Sequence, residues 1–148
     1  MKRFSLATAL LVLCFAGAHS QAQNKLADGP VWRISQYKVK PGRLSDVLLN
    51  WQQNWRVINE EMKRRGLIVD YRIYANTTVN GPDDWDIATA IAYKNWAAID
   101  GLGEKASAIT LKHYGSLEKR QQAVEELDRM RELVSSRLVQ EVILTPTQ

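Results

Sequence analysis

A single apolar stripe marks the segment between the first two strand-like regions of the chain. Its members recur at spacings of three and four residues, which places them on one side of a helix. They are Leu44, Val47, Leu48, Trp51, Trp55, Ile58 and Met62. The two tryptophans are large anchors for packing against a sheet. We therefore predict one long helix over 44–65, capped by Gly66 at its C-terminal end.

The N-terminal residues have the layout of a secretory signal peptide. Met1, Lys2 and Arg3 begin the chain with two cations, an apolar run covers 4–17, and small residues follow at Ala18, Ser20 and Ala22. The apolar run is shorter than the roughly 20 residues that span a bilayer. We therefore predict a signal peptide over 1–22, cleaved near Ser20 or Ala22. The short, plain leader favours a periplasmic location or secretion, and no later segment could cross a membrane.

Removal of this leader changes what the rest of the chain can do. Cys14 is the only cysteine, so the mature chain has no disulfide and no thiol chemistry. Two of the 20 Lys and Arg residues also leave, against 16 Asp and Glu residues that stay. The mature chain is nearly balanced in charge, which argues against a nucleic-acid partner.

The order of predicted elements indicates one α+β domain over 31–144, between a polar linker at 23–30 and a tail at 145–148. Strands are predicted at 31–40, 67–75, 85–93 and 137–144. After the third strand Asn95 caps a helical turn, a weak helix extends to about His113, and Ser116 caps a further helix. The last helix has a predicted buried line of Leu117, Val124, Leu127 and Val134. This order predicts a ferredoxin-like β-α-β-β-α-β sandwich, a four-stranded antiparallel sheet with helices on one face.

Both faces of the predicted first strand carry large side chains. Trp32 and Ile34 lie opposite Arg33, Ser35 and Tyr37 by strand alternation. A face with such residues is poorly suited to water, and a second copy of the chain would cover it. The sequence therefore predicts a homodimer.

The stretch Tyr37-Lys38-Val39-Lys40-Pro41-Gly42-Arg43-Leu44 is similar to the strand-end and helix-start pattern of NIPSNAP-like members of the dimeric α+β-barrel superfamily. The element order and an aromatic after the third strand, Trp96, add to the resemblance. It implies a pocket between sheet and helices. The superfamily includes cofactor-independent monooxygenases, lactone isomerases, haem-degrading enzymes, chlorite dismutase-like proteins and members with no known activity, so it leaves the chemistry open.

A group of polar strand residues forms the candidate binding site. Its members are Arg33, Tyr37, Asp70, Arg72, Tyr74 and Glu141. In a ligand pocket, an arginine would bind an anionic group, Asp70 or Glu141 would accept a proton, and the tyrosines would fix orientation. The alternative is an ion-pair network that sets the dimer register. Trp32 and Trp96, near the ends of elements, are predicted rim residues of an aromatic cavity.

His113 is the only histidine after the leader, and it supports a haem alternative. In haem-degrading relatives a helix histidine ligates the iron, with a tryptophan and an asparagine nearby. The predicted first strand contains no such asparagine, and Ser35 and Gln36 are present there instead. One histidine and no cysteine cannot supply a zinc set, so we predict no metal site.

The sequence as a whole therefore predicts an exported homodimer that binds a small aromatic or anionic compound. A cofactor-independent monooxygenase or isomerase is its catalytic form, with no catalytic residue assigned and no cofactor. The alternatives are a non-catalytic interaction module and a haem-binding or haem-degrading protein that uses His113.

Overall fold

The computed structural model describes residues 27–78, 81 and 84–144. The predicted signal peptide, residues 23–26 of the predicted linker and the tail at 145–148 lie outside these residues. The elements follow in the order β1 (Ala27–Val39), α1 (Leu44–Asn50), a π-helical turn (Trp51–Trp55), α2 (Arg56–Arg64), β2 (Asp70–Ala75), β3 (Ile87–Tyr93), a 3₁₀ turn (Trp96–Ile99), α3 (Leu102–Tyr114), α4 (Leu117–Met130) and β4 (Arg131–Ile143).

The sheet has the order β2-β3-β1-β4, and each neighbouring pair is antiparallel. Together with the element order, this is the ferredoxin-like topology that the sequence predicts. The fold-class prediction is confirmed.

The long first helix forms as predicted, with one irregularity. α1, the π-helical turn and α2 are continuous. Most of the apolar stripe packs inward: Val47, Trp51 and Met62 are buried, and Trp55 and Ile58 are half-buried. Leu44 and Leu48, in its first two turns, are exposed, so this part of the predicted stripe is wrong. After α2, the amide of Gly66 donates to the carbonyl of Lys63 and the amide of Leu67 donates to the carbonyl of Met62. Gly66 has a φ of 70°, and only glycine adopts such an angle without strain. The predicted cap is confirmed.

Two apolar clusters pack between the helices and the sheet. One contains Val31, Met62, Ile68, Tyr93, Leu102 and Ile109. The other contains Val47, Trp51, Ile87 and Met130, with Tyr37 and Trp55 packed against it. Both clusters draw on the predicted stripe, so these contacts hold the first helix on the sheet.

The ends of β1 and β4 differ from the sequence expectation. β1 begins at Ala27 rather than at residue 31, because Ala27 pairs with Ile143 of the long last strand. β4 begins at Arg131, directly after α4, because Arg131 and Leu133 pair with Val39 and Tyr37. Cross-strand pairing here outweighs the helical pattern that continued through this segment of the sequence.

The predicted buried line of the last helix is wrong. Leu117 is 64% exposed and Val124 is 48% exposed, whereas Leu127 is half-buried. Val134 belongs to β4 and is also exposed. The helix ends at Met130 and packs on the sheet only near that end, through Leu127 and Met130.

The helices contact one face of the sheet, which we call the helix face. Alternation along β1 places Val31 and Tyr37 in the apolar clusters on this face, and it places Trp32 and Ile34 on the opposite side, the open face. Among the described residues, no helix combines the length and apolar character needed to cross a membrane.

Candidate ligand-binding site

The sheet separates the predicted site residues into two groups. Arg33 and Tyr37 lie on the helix face, where the Arg33 guanidinium is 5.6 Å from the centre of the Tyr93 ring. Tyr37 meets the edge of Trp51 with ring centres 5.6 Å apart. The other predicted strand residues lie on the open face, namely Trp32, Asp70, Arg72, Tyr74 and Glu141. The two groups cannot form one pocket within a single sheet.

The open face carries a groove with a floor of alanines. Ala88, Ala90 and Ala92 point to this face from β3 and are 2%, 1% and 0% exposed. They are covered although none of the described helices lies over them, because larger side chains rise from the neighbouring strands. Trp32 and Asp70 flank Ala92 in the register, and Arg72 and Tyr74 pair with Ala90 and Ala88.

This groove is an open concavity of about 700 Å³. Its walls are formed by Trp32, Ile34 and Gln36 of β1, Arg72 and Tyr74 of β2, and Val139 and Glu141 of β4, with Trp85 at one end. A volume of this size is within the range of small-molecule sites, roughly 300–1,000 Å³.

Hydrogen bonds fix the polar groups of the groove. Trp32 Nε1 donates to Glu141 Oε2 at 2.8 Å. The Arg72 guanidinium lies 5.0 Å from the centre of the Trp32 ring. Its Nε donates to Asp70 Oδ2 at 3.2 Å, and Lys63 Nζ donates to Asp70 Oδ1 at 3.0 Å. The groove therefore combines an aromatic wall with a cation held in position.

Neighbouring charges keep Arg72 and Asp70 ionised. The hydrogen bond from Lys63 is the largest cause that lowers the pKa of Asp70, and Arg72 lowers it further. Hydrogen bonds with Tyr74 and then with Asp70 raise the pKa of the Arg72 guanidinium. Asp70 is thus a weak proton acceptor. Glu141 is the carboxylate that lines the groove itself.

The alanine floor was readable in the sequence, but its role was not. Ala88, Ala90 and Ala92 alternate with larger residues, so one face of the third strand has no large side chain. The depth of the groove comes from the neighbours of β3 in the sheet. The strand order of the sheet determines that β1 and β2 are these neighbours. The residues of β3 alone do not indicate that order.

A buried arginine on the helix face was missed by sequence reasoning. Arg131 lies with its guanidinium 3.8 Å from the centre of the Tyr37 ring and 5.4 Å from that of Trp51. Its Nε and Nη1 are buried without a hydrogen-bond partner among the described residues. Nη2 is 4.0 Å from Asp128. No sequence signal marks this residue, because its burial follows from the early start of β4.

His113, the residue of the haem alternative, contacts Asn54 and Tyr114. Its Nε2 lies 2.8 Å from Asn54 Oδ1, and its ring meets Tyr114 at 4.8 Å between ring centres. Trp96 is largely exposed on the 3₁₀ turn and lines none of the grooves described here. A hydrogen bond at one ring nitrogen is compatible with metal ligation through the other, so this contact does not decide the haem alternative. Haem binding through His113 stays a prediction without support from this geometry.

Within 27–78, 81 and 84–144, no three His, Cys, Asp or Glu residues cluster in a way that could hold a metal ion. The Asp70 carboxylate contacts two protein cations, Lys63 and Arg72.

Comparison with known proteins assigns no family to the chain. No protein-family model matches the sequence, and no curated protein matches it. Three solved structures are similar in fold at low sequence identity. HapK from Hahella chejuensis is 16% identical, with 80% of this chain and 97% of that chain covered and a TM-score of 0.48.

A dimeric ferredoxin-like protein from an uncultured marine organism is 10% identical, with 82% and 93% covered and a TM-score of 0.49. A dimeric protein of unknown function with a ferredoxin-like fold from Bacteroides fragilis is 16% identical, with 78% and 97% covered and a TM-score of 0.42. At this similarity none of the three carries an activity or a partner over to this chain, and membership of the NIPSNAP-like group stays a prediction.

Proposed function

We propose that the chain is an exported, homodimeric binding protein for a small planar compound that carries an anionic group. The groove on the open face is the observation on which this proposal rests. It lies on the side of the sheet that no described helix contacts, and it combines a flat apolar floor, an aromatic wall and an oriented arginine.

The shape of the groove favours a flat apolar body. The small alanine side chains keep the base of the groove level, and Trp32 and Tyr74 stand on either side of it and carry the aromatic surface that a ligand would meet. An aromatic ring placed between these walls would meet side chains rather than water, which is favourable in proportion to the apolar area removed from water.

Arg72 supplies the group that would select an anion. Its side chain is 55% exposed, and Asp70 is the carboxylate that its Nε contacts. A ligand carboxylate could bind the remaining nitrogens of the planar guanidinium, as arginine commonly does. Asp70 and Tyr74 would hold the arginine in place for that contact.

A second copy of the chain is the proposed roof of the groove. Val139, Tyr74 and other apolar groups on the open face are exposed in a single copy. Closing two such faces would remove them from water and enclose the grooves. In the competing interaction module, the same polar residues serve only to set the register of the two copies.

A cofactor-independent monooxygenase or isomerase is the catalytic form of this proposal. Such chemistry needs a confined apolar cavity and a group that accepts a proton from the substrate. Glu141 is the carboxylate placed for that role, because it lines the groove whereas Asp70 is held by two cations.

The test compares naphthoate with naphthalene as probes of the mature protein, followed by quenching of tryptophan fluorescence. We expect naphthoate to bind more tightly, and Arg72→Gln to weaken naphthoate binding by about tenfold or more. Arg129→Gln, on the exposed side of α4, removes the same charge away from the groove and should leave binding unchanged.

Two outcomes would contradict the proposed site. Equal binding of both probes would remove the role of Arg72. Loss of naphthoate binding in Arg33→Gln, with Arg72→Gln unaffected, would place the ligand on the helix face. Native mass spectrometry of protein from its host gives an independent result, because a retained compound should be a small aromatic or anionic molecule.

Export is tested separately from binding. The protein recovered from the host should have lost the leader, with a mass and N-terminal sequence that correspond to cleavage after Ser20 or Ala22. Recovery of the uncleaved chain from the membrane fraction would contradict this part of the proposal and would leave the binding site untouched.

A further inference from the structure

A second concavity lies on the outer surface of the helices. It runs between α2 and α3 and encloses about 460 Å³. Its floor is apolar and is formed by Val57 and Ile58 of α2 and Ile109 of α3. The hydrogen bond between Asn54 and His113 joins the two helices at one end of it.

The rim of this groove carries more positive than negative charge. Arg64, Arg65 and Lys112 contribute three cations, and Glu61 is the single carboxylate that lines it. The cations come from both helices, so they approach the floor from two sides. A rim of this kind attracts an anion to a surface that is otherwise apolar.

Glu61 pairs with only part of this positive charge. Arg64 donates to it through both Nε and Nη2 at 2.7 Å, which uses one edge of its guanidinium. Arg65 donates to Glu61 through Nε at 2.7 Å. The Lys112 side chain is exposed and makes no hydrogen bond or ion pair with the described residues. Arg65, directly after α2, and Lys112 of α3 therefore retain donors for a ligand.

The pKa of Glu61 shows how firmly this arrangement is held. Hydrogen bonds from Arg64, and then from Arg65, lower the pKa of Glu61 to about 2. Its hydrogen bonds with the two arginines place their guanidinium groups beside the apolar floor. The groove thus has positioned cations and an open apolar surface.

We infer that this groove binds a small amphiphilic carboxylate, with its hydrocarbon part on Val57, Ile58 and Ile109 and its acidic group between the cations of the rim. The volume fits a small molecule. The apolar floor would contact the hydrocarbon part of the ligand, and the cations of the rim would bind its acidic group. The site is independent of the proposed function, because the helices lie on the opposite side of the sheet from the alanine-floored groove.

The experiment titrates the mature protein with octanoate, 1-octanol and acetate, followed by NMR shifts of the amides around Ile109. Octanoate should bind more tightly than either of the others, because only octanoate has both the chain and the charge. The double variant Arg65→Gln/Lys112→Gln should weaken octanoate binding by about tenfold. Val57→Ser should also weaken it, through the loss of apolar floor.

The matched control is Arg56→Gln/Lys119→Gln, which removes two exposed cations that do not line the groove. It should leave octanoate binding unchanged. An equal loss in this control would show attraction to net charge, and equal binding of octanol or of acetate would show an apolar or an ionic contact alone. Each of these results would overturn the site.

A membrane surface is the competing partner, and vesicles of phosphatidylglycerol distinguish it. If the protein binds these vesicles through Arg65 and Lys112 but does not bind octanoate, the groove is a lipid-surface contact and the proposal is overturned. Naphthoate binding measured in the same variants reports separately on the alanine-floored groove and should not change.

Discussion

The two faces of one sheet differ in how their side chains are covered. On the helix face, Trp51, Tyr93, Val31 and Ile87 are fully buried between sheet and helices. On the open face the buried side chains are alanines, and the large residue Trp32 stands half-buried beside them. Successive residues of the same strands therefore meet a packed core on one side and an open groove on the other.

This difference separates the residues that hold the fold from those available for binding. The helix face is filled by side chains from distant parts of the chain, so each one has many partners. The open face has polar groups held by a few hydrogen bonds, and a base of alanines that lies beneath larger side chains of the neighbouring strands. Substitutions on the helix face should therefore change the stability of one copy, whereas substitutions on the open face should change binding and dimerisation.

The largest effect is expected for Trp51→Ala on the helix face. Trp51 is 1% exposed and contacts Tyr37 and Trp55. Its removal should leave a cavity and lower the free energy of unfolding by about 3–5 kcal/mol. Chemical denaturation measures this change, which should be the same at every protein concentration because the residue is buried within one copy.

Trp32→Ala is the control on the open face. If a second copy covers this face, its effect on unfolding should depend on protein concentration, because dimerisation is linked to stability. A concentration-independent loss as large as that of Trp51→Ala would contradict the distinction between the two faces.

The second largest effect is expected for Ile34→Arg, which places a charge on the open face. In a dimer closed over this face the charge would be buried without a partner, at a cost of several kcal/mol. The dimer dissociation constant should therefore rise by about 100-fold or more. Size-exclusion chromatography with light scattering measures it.

The circular dichroism spectrum is the control for Ile34→Arg and should be unchanged, because the side chain does not pack against the helices. A wild-type protein that is monomeric at micromolar concentration would contradict the proposed dimer before any variant is made.

Most of the fold could be predicted from residue patterns, because each element has a strong local signal. The Gly66 cap and the caps at Asn95 and Ser116 form as predicted, and the apolar stripe packs inward from Val47 to Met62. The start of β4 could not be predicted, since its pairing with β1 depends on a partner far away in sequence.

The candidate site was predictable only in part. Alternation along single strands correctly separates Arg72 from Ile73 and Trp32 from Arg33, but it does not say which face of each strand meets the helices. That choice follows from packing of the stripe, through contacts such as Tyr37 with Trp51. The sequence prediction placed Arg33 and Arg72 in one group. Only the register of the sheet shows that they lie on opposite faces.

A smaller effect is expected at Arg131, the buried cation of the helix face. Arg131→Met keeps an apolar chain over Tyr37 and removes two buried N–H groups that have no partner. Relief of those groups, worth about 1–3 kcal/mol, should exceed the lost cation–π contact of about 0.5–2 kcal/mol. We expect a gain of about 1 kcal/mol in denaturant unfolding.

Arg131→Ala is the comparison for that variant, because it removes the covering chain as well and should destabilise the protein. A loss of stability in Arg131→Met as large as that in Arg131→Ala would show that the charge itself is required on the helix face.

The smallest effect concerns the titration of Tyr71, a residue of β2 whose ring contacts Trp55 on the helix face. Burial is the largest cause that raises its pKa, followed by its hydrogen bond to Glu60, and together they raise the pKa of Tyr71 to about 12. The folded pKa is above the ordinary value of 10.0, so the associated stability is present below pH 10 and is lost as the pH rises towards 12. Absorbance of tyrosinate in Tyr71→Phe and wild type identifies its titration.

Glu60→Gln sharpens this measurement, because it removes the second cause and leaves the first. The pKa of Tyr71 should fall towards the ordinary value without reaching it, since Trp55 still meets the ring edge at 5.3 Å between ring centres. Glu104→Gln, an exposed carboxylate on α3, should leave the titration unchanged. A full return to the ordinary value in Glu60→Gln would mean that Tyr71 is not desolvated, and that the helix face is open to water at the β2 edge.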